Sequence, residues 1–156
     1  MPAIFTKGDL FHTDGLRAYA FGSNAKGTMD GGIALAMQKR WPKLAEALKA
    51  RAAEASKLAP GEVFAYSEND ETVYALILQE DPSKKAKLAA LTRSVSQMLE
   101  LAAQANVERV GVSHPGTGKA GLEWPRVKRI LQELGEGTAI TLVVFEQFVR
   151  AKVAGG

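Results

Sequence analysis

The sequence of 156 residues contains no cysteine and only two histidines. Without cysteine, disulfides, thiolate metal sites and a cysteine nucleophile are excluded. The two histidines, His12 and His114, lie far apart and lack the spacing of metal ligands, so we expect no metal site.

The sequence also lacks a long apolar run and a strong net charge. It has no apolar run of about eighteen residues and no charged-then-apolar leader, which predicts a cytoplasmic protein that does not enter a membrane. The net charge of +3, from 20 basic and 17 acidic residues, is too small to indicate nucleic-acid binding by itself. The length predicts one domain. The last residues, RAKVAGG (150–156), are predicted to form a disordered tail.

Short β-branched apolar runs alternate with longer amphipathic runs along the chain. The predicted strands cover residues 3–11, 17–23, 62–67, 72–78, 107–113 and 139–145. The predicted helices cover residues 31–57, where Pro42 begins a second segment, and residues 83–104 and 124–134. This alternation predicts an α/β domain of three layers, in which helices cover both faces of a mixed sheet of about six strands.

Two glycine-rich segments each follow a predicted strand and begin a helix. They are SNAKGTMDGGIA (residues 23–34, the first glycine turn) and HPGTGKAGLEW (residues 114–124, the second glycine turn). A strand-to-helix turn of this kind exposes backbone N–H groups at the positive end of a helix, which favours a phosphate ligand. Glycine lets the backbone approach that ligand closely. The alternative is that each turn is an ordinary connection.

The stretch SHPGTGKAG, residues 113–121, resembles a P-loop only in its middle. Ser113 stands where the first glycine of a P-loop belongs, and Ala120 stands where the Mg²⁺-binding hydroxyl belongs. Only one predicted helix and one predicted strand follow it, whereas a P-loop NTPase needs several further units. The sequence therefore does not favour a P-loop.

Three segments together resemble the macro domain family in their order and spacing. They are KGDLF (7–11), FGSNAKGTMDGGIALAMQKRWP (21–42) and HPGTGKAGLEWPRVKRIL (114–131). The spacing is similar to that of small single-domain branches, which include terminal ADP-ribose glycohydrolases and antitoxins that remove ADP-ribose from DNA. The resemblance implies a macro domain over residues 1–149, with a cleft at the carboxyl ends of the strands for ADP-ribose or an ADP-ribosylated macromolecule. Nucleic acid would be contacted only as such a substrate, and we expect a monomer without a cofactor.

The resemblance also assigns ligand-binding residues by position. Asp9 would accept a hydrogen bond from the adenine amino group, with the backbone of Leu10 beside it, and Asn24 would face the distal ribose. The alternatives are that Asp9 caps a turn and that Asn24 forms an Asx turn. Phe145 would lie near the adenosine, unless it is a core residue. The walls of the diphosphate site would be formed by Gly31, Gly32 and Ile33 on one side and by Pro115, Gly116, Thr117, Gly118, Lys119, Ala120 and Gly121 on the other.

The catalytic residues of two related branches are absent. The branch that releases ADP-ribose from glutamate uses a lysine and an aspartate, whose positions here are Gln79 and Ala120. Neither side chain can act as an amine nucleophile or move a proton. The histidine of a phosphatase branch corresponds to Phe21. Three nearby lysines are expected at a solvated helix start: Lys84, Lys85 and Lys87.

Asp30 and Glu123 are the acidic residues that remain near the glycine turns. Asp30, with Asn24, would position a water at the distal ribose, or it would point away because a carboxylate repels the diphosphate. Glu123 more simply caps the following helix. Two functions stay open: an ADP-ribosyl hydrolase acting on a modified protein or nucleic acid, and a reader that binds ADP-ribose without turnover. We favour the hydrolase, because a free-standing reader would deliver its ligand to nothing.

Overall fold

The computed structural model describes residues 3–29 and 32–148. Its strands are β1 (Ile4–Gly8), β2 (Ala18–Asn24), β3 (Val63–Glu68), β4 (Glu71–Gln79), β5 (Arg109–Ser113) and β6 (Thr141–Phe148). Its α-helices are α1 (Gly32–Arg40), α2 (Pro42–Ala52), α3 (Leu88–Gln104) and α4 (Trp124–Glu136), and a short 3₁₀ helix, Leu10–His12, follows β1.

The strands form one mixed sheet in the order β1-β6-β5-β2-β4-β3. All neighbouring pairs are parallel except β3 and β4, which form an antiparallel hairpin. The turn of this hairpin holds Asn69 and Asp70 at φ values of 50° and 64°, the left-handed geometry that matches the twist of paired strands. Because the other strands are parallel, the carboxyl ends of β1, β2, β4, β5 and β6 lie at the same edge of the sheet.

Side chains of each strand alternate between two hydrophobic cores. On β2, Ala18 and Ala20 face the core that α3 and α4 cover, whereas Tyr19 and Phe21 face the core that α1 and α2 cover. Helices therefore pack on both faces of the sheet, which confirms the predicted three-layer α/β architecture.

A polar cluster ties β4 to α1 on the second of these faces. The Glu71 carboxylate accepts hydrogen bonds from the Tyr19 hydroxyl at 3.2 Å, the Arg40 guanidinium at 2.7 Å and the indole N–H of Trp41 at 3.3 Å. Burial, followed by the negative charge of Glu71, raises the pKa of Tyr19 to about 12.

Three predicted boundaries were wrong. The strand predicted at residues 3–11 ends at Gly8, because Asp9 caps the 3₁₀ helix through the N–H of Phe11. The helix predicted to start at residue 83 begins at Leu88, because the Asp81 carboxylate accepts from the N–H and hydroxyl of Ser83 and holds a turn there. Residues 53–57 lie beyond the end of α2.

Some predictions fall on residues that the structure does not describe. Asp30, Gly31 and the predicted tail at residues 150–156 are among them. Within residues 3–29 and 32–148, no helix is long and apolar enough to cross a membrane.

Candidate ligand-binding cleft

The two glycine turns follow neighbouring parallel strands, β2 and β5, at one edge of the sheet. The first turn leads into α1 on one face, and the second leads into α4 on the opposite face. In parallel α/β sheets, a crevice opens where adjacent strands connect to opposite faces. The fold therefore brings the described residues of both glycine turns to the same edge of the sheet.

The ends of β2 and β5 approach each other closely enough to require glycine. A Cβ on Gly22 would lie 3.0 Å from the backbone nitrogen of Gly116 and 3.5 Å from the Cα of Pro115. This contact brings the end of β2 directly against the second glycine turn. Gly22 is not among the predicted site residues, although a glycine just before the first glycine turn indicates a close approach of the backbone there.

Asn24 organises the first glycine turn. Its Oδ1 accepts from the backbone N–H groups of Lys26 at 3.1 Å and Thr28 at 3.3 Å, and its Nδ2 donates to the carbonyl of Thr28 at 3.2 Å. These bonds match the Asx-turn alternative for Asn24. Gly32 has a φ of +56°, and among the described residues no atom beyond its chain neighbours and the nearby backbone of α1 lies within 4 Å of the place where its Cβ would be.

The glycines of the second glycine turn differ in whether the backbone conformation requires glycine. Gly116 and Gly121 have φ values of +76° and +86°, which glycine adopts without strain. The carbonyl of Gly116 accepts from the N–H of Leu122 at 2.8 Å, and the carbonyl of Gly118 accepts from that of Gly121 at 3.0 Å. Gly118 is exposed, and within the described part of the chain no atom beyond its two chain neighbours lies within 4 Å of the place where a Cβ would be. The turn itself therefore does not require glycine at position 118.

The remaining predicted members of this wall surround those glycines. Pro115 is buried, Thr117 donates its hydroxyl to the carbonyl of His114 at 3.2 Å, and Lys119 is exposed. Ala120 is half-buried against the core under α3 and α4. On the other wall, Ile33 is half-buried against the core under α1 and α2.

Asp9 and Phe145 line one cavity of about 540 Å³ at the β1 and β6 side of the sheet. Asp9 also caps the 3₁₀ helix, accepting from the N–H of Phe11 at 2.9 Å and contacting His12 Nδ1 at 2.8 Å. Phe145 is 3% exposed and belongs to the core under α1 and α2, as Leu10 does. Asp9 and Phe145 thus have the structural roles named as alternatives, and both also line this cavity. The described residues of the glycine turns do not line it.

The loop between β4 and α3, residues 80–87, contacts the second glycine turn. The N–H of Ala86 donates to the carbonyl of Ala120 at 3.0 Å, and the Gln79 amide donates to the carbonyl of Lys84. Lys84 and Lys85 lie in this loop and not at the predicted helix start, whereas Lys87 is the N-cap residue of α3. The side chain of Lys85 lies beside Gly121, with its Cδ 3.6 Å from the place of the missing Cβ.

Three buried polar atoms at this edge have no hydrogen-bond partner among the described residues. They are the hydroxyls of Ser23 and Ser113 and the Nε2 of His114. Ser23 is the next-to-last residue of β2 and Ser113 is the last residue of the neighbouring strand β5. The ring of His114 stacks on Trp124 with the ring centroids 4.3 Å apart. None of these three residues is among the predicted site residues, although a serine near the end of an apolar strand, next to a glycine turn, indicates a polar group at this edge of the sheet.

Two other predicted residues have structural roles. Glu123 is the N-cap residue of α4, but through its backbone, since its side chain makes no capping hydrogen bond. Phe21 is fully buried in the core under α1 and α2. Within the described residues, no group of three or more histidine, aspartate or glutamate side chains could hold a metal ion.

A parallel sheet with two strand-to-helix glycine turns at one carboxyl edge is the arrangement of α/β domains that bind ligands at that edge. The sequence model of the macro domain family matches residues 22–131, well over half of the chain. The chain therefore belongs to the macro domain family, whose members bind ADP-ribose. No curated protein matches the sequence.

Solved structures of macrodomains have the same fold. The macrodomain of Mycobacterium tuberculosis DarG is 22% identical, with a TM-score of 0.82, and the match covers 92% of this chain and 97% of that one. The macrodomain of Thermus aquaticus DarG is 19% identical, with a TM-score of 0.83 and the same coverage of 92% and 97%. Thermosipho africanus DarTG, solved in complex with ADP-ribose, is 14% identical with a TM-score of 0.74. That match covers 86% of this chain and 38% of the DarTG chain.

Proposed function

We propose that the protein binds ADP-ribose in the cleft between its two glycine turns and hydrolyses the bond that links ADP-ribose to a modified protein or nucleic acid. The observation that carries this proposal is the contact of the end of β2, at Gly22, with Gly116 of the second glycine turn, at the edge of the sheet where β2 and β5 both lead into glycine turns. Strand-to-helix turns that present backbone N–H groups from two sides suit a diphosphate. The complex of Thermosipho africanus DarTG with ADP-ribose supports the choice of ligand.

In this proposal the two glycine turns hold the diphosphate and the β1 side of the sheet holds the adenosine. Asp9 and the Leu10 backbone recognise adenine, and Phe145 supplies an aromatic surface within the same cavity as Asp9. The openness of the backbone at Gly32 and Gly118 leaves room for phosphate oxygens. The diphosphate walls are the segments 31–33 and 115–121.

The proposed chemistry uses a water molecule and one carboxylate. Asp30 orients the water and takes its proton while the water oxygen attacks the anomeric carbon of the distal ribose. The bond from that carbon to the modified group breaks, and the proton passes to the leaving atom. Asn24 contributes by holding the turn that carries Asp30, since its described hydrogen bonds go to residues 26 and 28.

Calorimetry tests the binding step. We expect a dissociation constant near 10⁻⁶ M for ADP-ribose, which corresponds to about −8 kcal/mol, and much weaker binding of ATP with Mg²⁺. Tighter binding of ATP than of ADP-ribose would contradict the proposed ligand.

Release of ADP-ribose from glutamate, serine, arginine and nucleic-acid linkages tests the chemical step. Asp30→Ala should lower the rate by about 10²–10⁴, the range for loss of a general base, and should keep or tighten binding because a negative charge is removed. Glu133→Ala on the exposed side of α4 is the matched carboxylate control. An Asp30→Ala rate within threefold of wild type would reject Asp30 as the base.

A non-catalytic reader is the second candidate function. Gln79 favours it, since its amide is bonded to the carbonyl of Lys84 and cannot act as a nucleophile. Wild-type protein that binds ADP-ribose but releases none from any linkage would establish the reader and reject the hydrolase.

A further inference from the structure

We propose that Lys85 is an additional ligand-binding residue, which the β4–α3 loop holds beside the second glycine turn so that its ammonium group neutralises the diphosphate. This inference rests on the proposed binding of ADP-ribose. Nothing in the local sequence marks Lys85 out from Lys84 and Lys87, because all three are exposed and neighbouring. Only the contacts of the loop distinguish it.

The Lys85 side chain lies in contact with the position that a Cβ on Gly121 would take. Its Cδ is 3.6 Å, and its Cγ and Cε are each 3.9 Å, from the position of a Cβ on Gly121. These are ordinary van der Waals distances, so the methylene chain packs on the glycine. The ammonium group is one covalent bond beyond Cε and therefore lies beside the same turn.

Hydrogen bonds on both sides of Lys85 hold the loop in place. The N–H of Ala86 donates to the carbonyl of Ala120 at 3.0 Å, which joins the loop to the second glycine turn. On the preceding side, the amide of Gln79 donates to the carbonyl of Lys84. Gln79 is therefore a positioning residue for Lys85.

The charges around the loop leave Lys85 available to an anion. The loop carries two acids of its own, Glu80 and Asp81, and Asp81 accepts hydrogen bonds from the N–H and hydroxyl of Ser83. Those bonds, with the charges of Lys84 and Lys26, lower the pKa of Asp81. Asp81 thus has hydrogen-bond partners of its own.

An ammonium group adds a net positive charge, which backbone N–H groups lack. Backbone N–H groups direct a phosphate through dipoles but carry no net charge, whereas a diphosphate brings about two negative charges. A cation close to it gains Coulomb energy even at a partly exposed site. Lys85 would therefore raise affinity for diphosphate ligands and make that affinity depend on salt.

Calorimetric titration with ADP-ribose of the full chain tests the proposal. Lys85→Met keeps the methylene packing on Gly121 and removes the charge. We expect it to weaken ADP-ribose binding about five- to tenfold at low salt, while Lys85→Arg stays within about twofold of wild type. Lys87→Met, in the same loop and equally exposed, is the matched control and should also stay within about twofold.

Two further readouts separate a charge effect from a structural one. Between low and high salt, affinity should fall less for Lys85→Met than for wild type. Gln79→Ala should weaken binding in the wild-type background but not in Lys85→Met, because its effect acts through Lys85.

The outcomes distinguish this inference from the proposed function. Wild-type protein that binds no ADP-ribose refutes both. Wild-type binding with Lys85→Met within twofold, or with unchanged salt dependence, refutes the role of Lys85 alone.

Discussion

Gly118 offers a direct test of whether the second glycine turn is a ligand wall. The residue is exposed, and of the residues that the structure describes only its two chain neighbours can lie within 4 Å of the place where a Cβ would be. A side chain can therefore be added there without a clash in the protein. We expect Gly118→Glu and Gly118→Lys each to change the free energy of unfolding by no more than about 0.5 kcal/mol, as at ordinary surface sites.

The affinity for ADP-ribose should change very differently with the two introduced charges. A carboxylate about 5 Å from one phosphate charge costs about 1–3 kcal/mol for effective dielectric constants between 80 and 20. Gly118→Glu should therefore weaken ADP-ribose binding by a factor of roughly five to one hundred. Gly118→Lys adds a side chain of similar size with the opposite charge, so it should bind better than Gly118→Glu by at least that factor.

Calorimetry with ADP-ribose, together with thermal melts of the free proteins, measures both effects. If Gly118→Glu binds as wild type does, the turn is an ordinary connection and lines no diphosphate site. If both variants lose binding equally, the size of the added side chain and not its charge excludes ADP-ribose, which would contradict the electrostatic argument. A large fall in melting temperature for either variant would refute the claim that the turn does not need glycine at position 118.

Three other predictions concern stability. Gly116→Ala should destabilise the protein by about 1–2 kcal/mol in denaturant titrations, because φ is +76° and a Cβ would lie 2.6 Å from Leu122; an unchanged midpoint would contradict this. Ser23→Ala should raise the free energy of unfolding by about 1 kcal/mol, since it removes a buried hydroxyl without a partner in the described residues; a loss of stability would show that the hydroxyl is bonded. The pKa of Tyr19 is raised to about 12, so the neutral hydroxyl stabilises the fold below pH 10, and this stabilisation is lost as pH rises from about 10 to 12. Tyr19→Phe should remove that alkaline step in pH-dependent melts, and a step that persists would assign it to another group.

The site was predictable from sequence to different extents at different residues. Both glycine turns stand next to apolar strand patterns, so their place before a helix could be inferred from the chain alone. The contacts of Asn24 and Asp9 could be named only as alternatives, because a short polar side chain can bond its own turn or a ligand. Lys85 could not be chosen from its neighbours, since its contact with Gly121 joins two distant loops.

The sequence by itself determined the elements: the runs of β-branched residues, the amphipathic stripes and Pro42 at the start of α2 act within a few residues of the chain. Only the tertiary structure decided the strand order β1-β6-β5-β2-β4-β3, which brings β2 next to β5 although β3, β4 and α3 lie between them in sequence. That pairing places Gly22 against Gly116 of the second glycine turn. The physical reason is that side-chain patterns reflect which face of an element is buried, whereas the choice of neighbouring strand depends on long-range packing of the whole sheet.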